Sequence, residues 1–110
     1  MKLTYKTKKL EKSLTKDYEL IKAYGSLSKK IKQRILELKA AENLEVITTL
    51  PALRLHPHKG KNKGIWSIDI YKNWRILFTV AHNPVPQKED GGVALHEVKV
   101  IKIISIEDPH

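Results

Sequence analysis

The residues best equipped for chemistry lie in one short run, Arg54-Leu55-His56-Pro57-His58-Lys59-Gly60-Lys61-Asn62-Lys63. It carries four permanent cations and two histidines, and no carboxylate. Pro57 and Gly60 let the backbone approach a ligand, and the lysines could engage phosphate oxygens. A solvated basic loop would read the same way, so the run alone leaves both possibilities open. Three further histidines, His82, His96 and His110, are spread over the second half of the chain. No His-x-x-Glu-His run or paired i, i+4 histidines occur, and there is no cysteine, so no metal site and no cofactor are expected. A serine nucleophile has no Gly-x-Ser-x-Gly elbow to sit on, and Ser67 and Ser105 read as strand residues. Gly60-Lys61-Asn62-Lys63-Gly64 has the wrong spacing for a phosphate-binding P-loop.

Cleavage of RNA asks for less. The substrate brings its own nucleophile, the 2′-hydroxyl. A protein adds a base for the 2′ proton, an acid for the departing 5′ oxygen, and cations for the charge that builds on phosphorus. Histidine suits both proton roles because its ordinary pKa of about 6.5 lies near working pH. Lysine and arginine suit the third. The composition permits this chemistry without singling it out.

Charge points the same way. Lys+Arg number 21 against 12 Asp+Glu, a net charge of +9 and a pI near 9.8, which favours a polyanionic partner. Solubility alone is the plainer explanation of such an excess. The length of 110 residues and 41% hydrophobic content suit one globular domain over residues 1–110. No apolar run approaches the roughly 18 residues of a membrane span. The basic start Met1-Lys2-Leu3-Thr4-Tyr5-Lys6 lacks the apolar block of a signal peptide, so the cytoplasm is the expected location.

The elements that must position these residues change character near Leu44. Before it, Leu10, Leu14, Tyr18 and Ile21 recur at helical spacing and predict one helix over Lys8 to Tyr24 with those four on its inner face. Gly25 is a natural stop, and Ser26 and Ser28 are candidate caps for a second helix. That helix carries Leu27, Ile31, Ile35, Leu38 and Ala41 on one side, and the pair should form a hairpin. From Ile65 the period becomes two. Trp66, Ile68 and Ile70 alternate against Ser67 and Asp69, Tyr71-Lys72-Asn73 makes a turn, and Trp74, Ile76, Phe78 and Val80 alternate against Arg75, Leu77 and Thr79. A Pro- and Gly-containing tip, His82 to Gly92, reads as mobile. Val93 to Ile106 reads as a strand inside the sheet, and Leu3 to Lys6 as an edge strand. The fold class is therefore α+β, a helical hairpin on a mostly antiparallel sheet, with Glu45 to Gly64 as one long and hence functional connection.

Three blocks together resemble a known family. Arg54-Leu55-His56-Pro57-His58-Lys59-Gly60 resembles an (Arg/Lys)-Leu-His-Pro-Leu-Lys-Gly motif. Gly64-Ile65-Trp66-Ser67-Ile68 with Asn73-Trp74-Arg75-Ile76 resembles Gly-Tyr-Trp-Ser-Ile followed by Asn-Trp-Arg-Ile. Ile106-Glu107-Asp108-Pro109-His110 resembles an ending in Asp-Tyr-His. These are marks of the HigB-type, or plasmid-maintenance killer, branch of the RelE/ParE toxin superfamily. The resemblance spans Arg54 to His110 and implies a RelE-like fold, a toxin of a type II toxin–antitoxin system, and endoribonuclease activity on mRNA at the ribosome without a metal. It also implies a helix-turn-helix, HigA-like antitoxin as partner, with the complex of the two binding operator DNA.

Carried over by position, His56, Lys59, Arg75, Asp108 and His110 match the family's catalytic residues, with His110 the main proton carrier and Arg75 the clamp on the scissile phosphate. At the end of the last strand, His110 would hold its imidazole beside an α-carboxylate that favours the imidazolium. Arg54, Lys61, Lys63 and Asn73 are the expected RNA contacts. Each also has a plainer reading: Arg75 as an ion-paired strand residue, His56 as loop packing, Lys59 as one solvated charge among several. Trp66 and Trp74 suit the core better than base stacking, and His58, His82 and His96 read as surface or structural residues. Two positions depart from the pattern. Pro109 stands where the family has tyrosine and alters how His110 is presented; His58 stands where it has leucine. The alternatives are a ParE-like toxin that binds DNA gyrase without catalysis, and an RNA-binding relative impaired in catalysis.

Overall fold

A computed structural model describes residues 1–108. The order of elements is β1 (Lys2–Tyr5), α1 (Lys8–Thr15), α2 (Asp17–Tyr24), α3 (Ser28–Ala40), α4 (Leu44–Ile47), β2 (His56–Pro57), β3 (Ile65–Tyr71), β4 (Trp74–Val80) and β5 (Val100–Glu107). The five strands form one sheet in the order β1-β5-β4-β3-β2, with β1 parallel to β5 and all other pairs antiparallel. This is the α+β, RelE-like layout the sequence predicts, with β1 at an edge and β5 inside. No helix among the described residues is long and apolar enough to cross a membrane.

Period-two alternation sends Ile68 and Ile70 of β3, Ile76 and Phe78 of β4, and Ile101 and Ile103 of β5 to one face. Against them pack Ile31, Ile35 and Leu38 of α3, with Leu14, Leu20, Leu44 and Ile47 from the other helices. The opposite face is open where Arg75, Leu77 and Glu107 line a cleft.

The first helical region differs from its expected form. Lys16 is extended (φ −107°, ψ 118°) and splits it into α1 and α2. Thr7 caps α1, its hydroxyl accepting from Leu10 N–H at 3.0 Å, and Asp17 and Glu19 open α2 where a helix favours acidic groups. The break rotates the second segment relative to the first, so Leu20 enters the core while Tyr18 and Ile21 are 75% and 60% exposed. An unbroken 3.6-residue period cannot anticipate that rotation. Gly25 stops α2 as expected, at φ 55°. Neither serine caps α3: a single 3-10 turn, Gly25–Leu27, runs straight into it, and Ser28 lies buried inside its first turn.

Two stretches carry more structure than their sequence suggests. The connection Glu45 to Gly64 holds the end of α4, 3-10 turns at Pro51–Leu53 and Gly60–Asn62, and β2 between them. The segment from Val93 enters a 3-10 turn at Leu95–Glu97 before β5 begins at Val100, so the expected strand is about half as long. The tip before it is closed by an isolated bridge between Gln87 and Val93. His82 ties its base to β5, with Nε2 accepting from Lys99 N–H at 3.0 Å and Val100 N–H at 3.2 Å.

A bulge in β5 sets the open face. Pairing runs Phe78 to Ile103 and then Leu77 to Ser105, which leaves Ile104 as the extra residue. A bulge reverses the sense of alternation beyond it. Ile106 therefore turns to the core side, and Glu107 comes opposite Arg75 on the open side.

Candidate active site

The site forms where β2, β3, β4 and the end of β5 meet on the open face. β2 is an edge strand, which is why Pro57, with no N–H to donate, can stand in it. His56 pairs with Ser67, and the ladder continues through His58 N–H donating to Ile65 O at 2.8 Å. Residues two apart in an extended chain point the same way. His56 and His58 thus share a face, their rings stacked 5.5 Å apart at an interplanar angle of 9°.

Between them sits the fully buried hydroxyl of Ser67, 3.1 Å from His58 Nε2 and 3.2 Å from His56 Nε2. His56 Nδ1 lies 2.9 Å from the Arg54 carbonyl. A carbonyl only accepts, so in neutral His56 the proton is on Nδ1 and Nε2 accepts the Ser67 O–H. That hydroxyl has one hydrogen, so His58 Nε2–H must donate to Ser67. The lone pair of His58 then resides on Nδ1.

His58, Asn62, Ile65, Arg75, Leu77, Ile104 and Glu107 line a cleft of about 260 Å³. Burial, His56 and Arg75 push the His58 pKa below its ordinary value, against a weaker opposing pull from Glu107. His58 is accordingly neutral at neutral pH, and can accept a proton there.

The expected site residues fall in different places. Arg75 reaches the cleft, whereas His56 stands behind His58 and meets the cleft through Ser67. Lys59, Lys61 and Lys63 are exposed on the turn whose Asn62 forms one wall. Asn73, in the β3–β4 turn, and Asp108, just past β5, are exposed near the same end of the sheet. Arg54, expected as an RNA contact, is paired within the chain. Its guanidinium forks onto Asp69, Nε to Oδ2 at 2.8 Å and Nη2 to Oδ1 at 3.2 Å, which fastens the loop to β3. Pro109 and His110 lie outside the described residues.

Three residues outside the expected set, His58, Ser67 and Glu107, line the cleft or hydrogen-bond to its wall. His58, expected as a surface or structural residue, lines the cleft. The signal was present in the period-two spacing of His56 and His58, but only the pairing of β2 with Ser67 gives it meaning. Among the described residues no group of three or more His, Cys, Asp or Glu side chains could hold a metal ion.

The YoeB/ParE toxin from Agrobacterium tumefaciens has a similar fold, with a TM-score of 0.51 at 18% identity and 100% of both chains covered. The profile of the family described as RelE-like toxin of type II toxin–antitoxin system HigB matches residues 3–88, and the chain belongs to that family. It is thus a toxin of the type II toxin–antitoxin class, whose partner is an antitoxin. No curated protein sequence matches the chain.

Proposed function

We propose that the protein is an endoribonuclease, an mRNA interferase that cleaves messages on the ribosome through the RNA 2′-hydroxyl and leaves 2′,3′-cyclic phosphate ends. The observation that carries this reading is the meeting, in one cleft, of the Arg75 guanidinium and a histidine kept neutral at neutral pH. A cation and a proton acceptor in one cavity are the pair that 2′-hydroxyl attack on a phosphodiester requires. The cationic turn of Lys59, Lys61 and Lys63 beside the cleft supports a polyanionic substrate.

In this reading Arg75 and Lys59 stabilise the phosphorane-like state, and proton transfer falls to the His56 region and to His110. Asp108 orients a histidine, while Lys61, Lys63 and Asn73 hold the flanking RNA. Arg54 serves by fixing the loop. The antitoxin is a helix-turn-helix, HigA-like protein, the complex of the two binds operator DNA, and the toxin acts in the cytoplasm.

The test is expression of Arg75→Ala and His110→Ala variants, scoring growth arrest and mapping RNA ends on translating ribosomes. Loss of both arrest and cleavage, with the fold retained, is expected. Undiminished toxicity in both variants, or gyrase inhibition without cleavage by the unaltered protein, would refute the ribonuclease reading.

A further inference from the structure

We propose that Ser67 is a positioning residue that joins His58 and His56 into a single proton-holding unit, in which His58 meets the substrate and His56 takes up the charge. The inference rests on the ribonuclease reading for the step that the unit serves, but the coupling of the two rings stands on the geometry alone.

The hydrogen-bond directions leave little choice. His58 Nε2–H donates to Ser67 Oγ, Ser67 Oγ–H donates to His56 Nε2, and His56 Nδ1–H donates to the Arg54 carbonyl. Every link ends on an atom with a lone pair to spare. Ser67 has no solvent exposure, so water does not compete for its hydroxyl. A buried polar group is retained at a cost unless both its donor and its acceptor capacity are used, and here each is used by a histidine.

The chain of bonds can move charge. As the 2′-oxygen attacks phosphorus, its O–H bond breaks and the proton bonds to His58 Nδ1. The Nε2 proton of His58 passes to Ser67 Oγ while the Ser67 hydrogen passes to His56 Nε2. His58 ends neutral with its hydrogen on Nδ1, Ser67 keeps a hydroxyl, and His56 becomes the imidazolium. The 5′ oxygen takes its proton from a separate acid, and the unit later returns its own proton to water by the reverse path. The positive charge thereby moves away from the Arg75 side, where a second cation is unfavourable, to a ring whose Nδ1–H already points at a carbonyl.

Several charged groups surround the unit. Arg75 of β4 and Glu107 of β5 flank His58, the Arg54–Asp69 pair lies beside His56, and Lys59, Lys61 and Lys63 follow on the loop. Rings stacked 5.5 Å apart also resist carrying two charges together. Their titrations must then be coupled and belong to the pair, not to either ring.

The experiment is an NMR titration of the histidine ring resonances in the full chain, run on the unaltered protein, Ser67→Ala and Ser67→Thr, with kcat against pH for RNA cleavage measured on each. In the unaltered protein the two rings should respond together in two steps. Ser67→Ala should weaken the coupling to the charge repulsion that the stacked rings retain, lower kcat by about tenfold or more, and displace the acid limb of the pH profile. Ser67→Thr, which keeps the hydroxyl, should restore both coupling and limb. Unchanged titration curves and an unchanged pH profile in Ser67→Ala would overturn the proposal. Coupled rings in a protein that cleaves no RNA would support the unit and overturn only the ribonuclease reading.

Discussion

Removing the Arg54 side chain separates two ways in which an arginine beside an active site can matter. Arg54 sits at φ 42°, and its carbonyl accepts from His56 Nδ1, so its backbone sets the orientation of the histidine pair. Its side chain holds that backbone in place by forking onto Asp69. The guanidinium is 57% exposed and the carboxylate 24%, so solvent screens the pair and its net worth is at most about 1 kcal/mol. Arg54→Ala keeps the same backbone strain and should cost no more than that, a fall in Tm of roughly 4–8 °C per kcal/mol for a domain near this size. The effect on cleavage should be larger than the effect on stability, because the loop that carries His56 and His58 loses its fastening.

The control is Asp69→Ala, which removes the other half of the fork while its backbone carbonyl still accepts from Arg34 Nε. If Arg54 acts through Asp69, the two single variants and the double variant should lose the same fraction of activity. Each should keep the unaltered slope of log affinity for RNA against log salt. A direct phosphate contact would behave otherwise: Arg54→Ala alone would flatten that slope by about 0.7 for single-stranded RNA. A flattened slope in Arg54→Ala together with full activity in Asp69→Ala would refute the fastening argument.

Three other outcomes are expected. Phe78→Ala empties the middle of the core from a fully buried position and should cost about 3–5 kcal/mol in denaturant unfolding, enough to threaten the fold. His58 binds its proton less readily in the folded chain than in the unfolded one, so between its lowered pKa and about 6.5 the unfolded state holds more protons. Stability should therefore fall as pH drops through about 6.5 and level off below the folded pKa; this component, read from urea midpoints, should vanish in His58→Leu. Replacing Lys59, Lys61 and Lys63 singly by Gln should each weaken RNA binding across sequences and reduce the salt slope by about 0.7 if that lysine touches a phosphate, with Tm nearly unchanged.

Much of this molecule could be read before any contact was known. Ile31, Ile35, Leu38 and Ala41 announced the inner face of α3, and Ile68, Ile70, Ile76 and Phe78 that of two strands, because burial imposes the period of the backbone on the apolar residues. Gly25 marked the end of α2, and Leu3 to Lys6 the edge strand β1, although β1 begins and ends one residue earlier, at Lys2–Tyr5. The basic run from Arg54 to Lys63 and the cation at Arg75 indicated where ligand chemistry would be concentrated.

Tertiary structure decided the rest, and for a common reason. A periodic pattern says which way a side chain points but not what lies opposite it. The extended residue Lys16 turned Tyr18 and Ile21 outward, and the bulge at Ile104 put Glu107 across from Arg75. Pairing of β2 with β3 delivered the Ser67 hydroxyl to two histidines, so that His58 reached the cleft and His56 was held behind it. Residues at 54 and 69, or at 56 and 67, become neighbours only once a register is chosen. That choice is made by the whole buried face of the sheet, not by the residues that carry the chemistry.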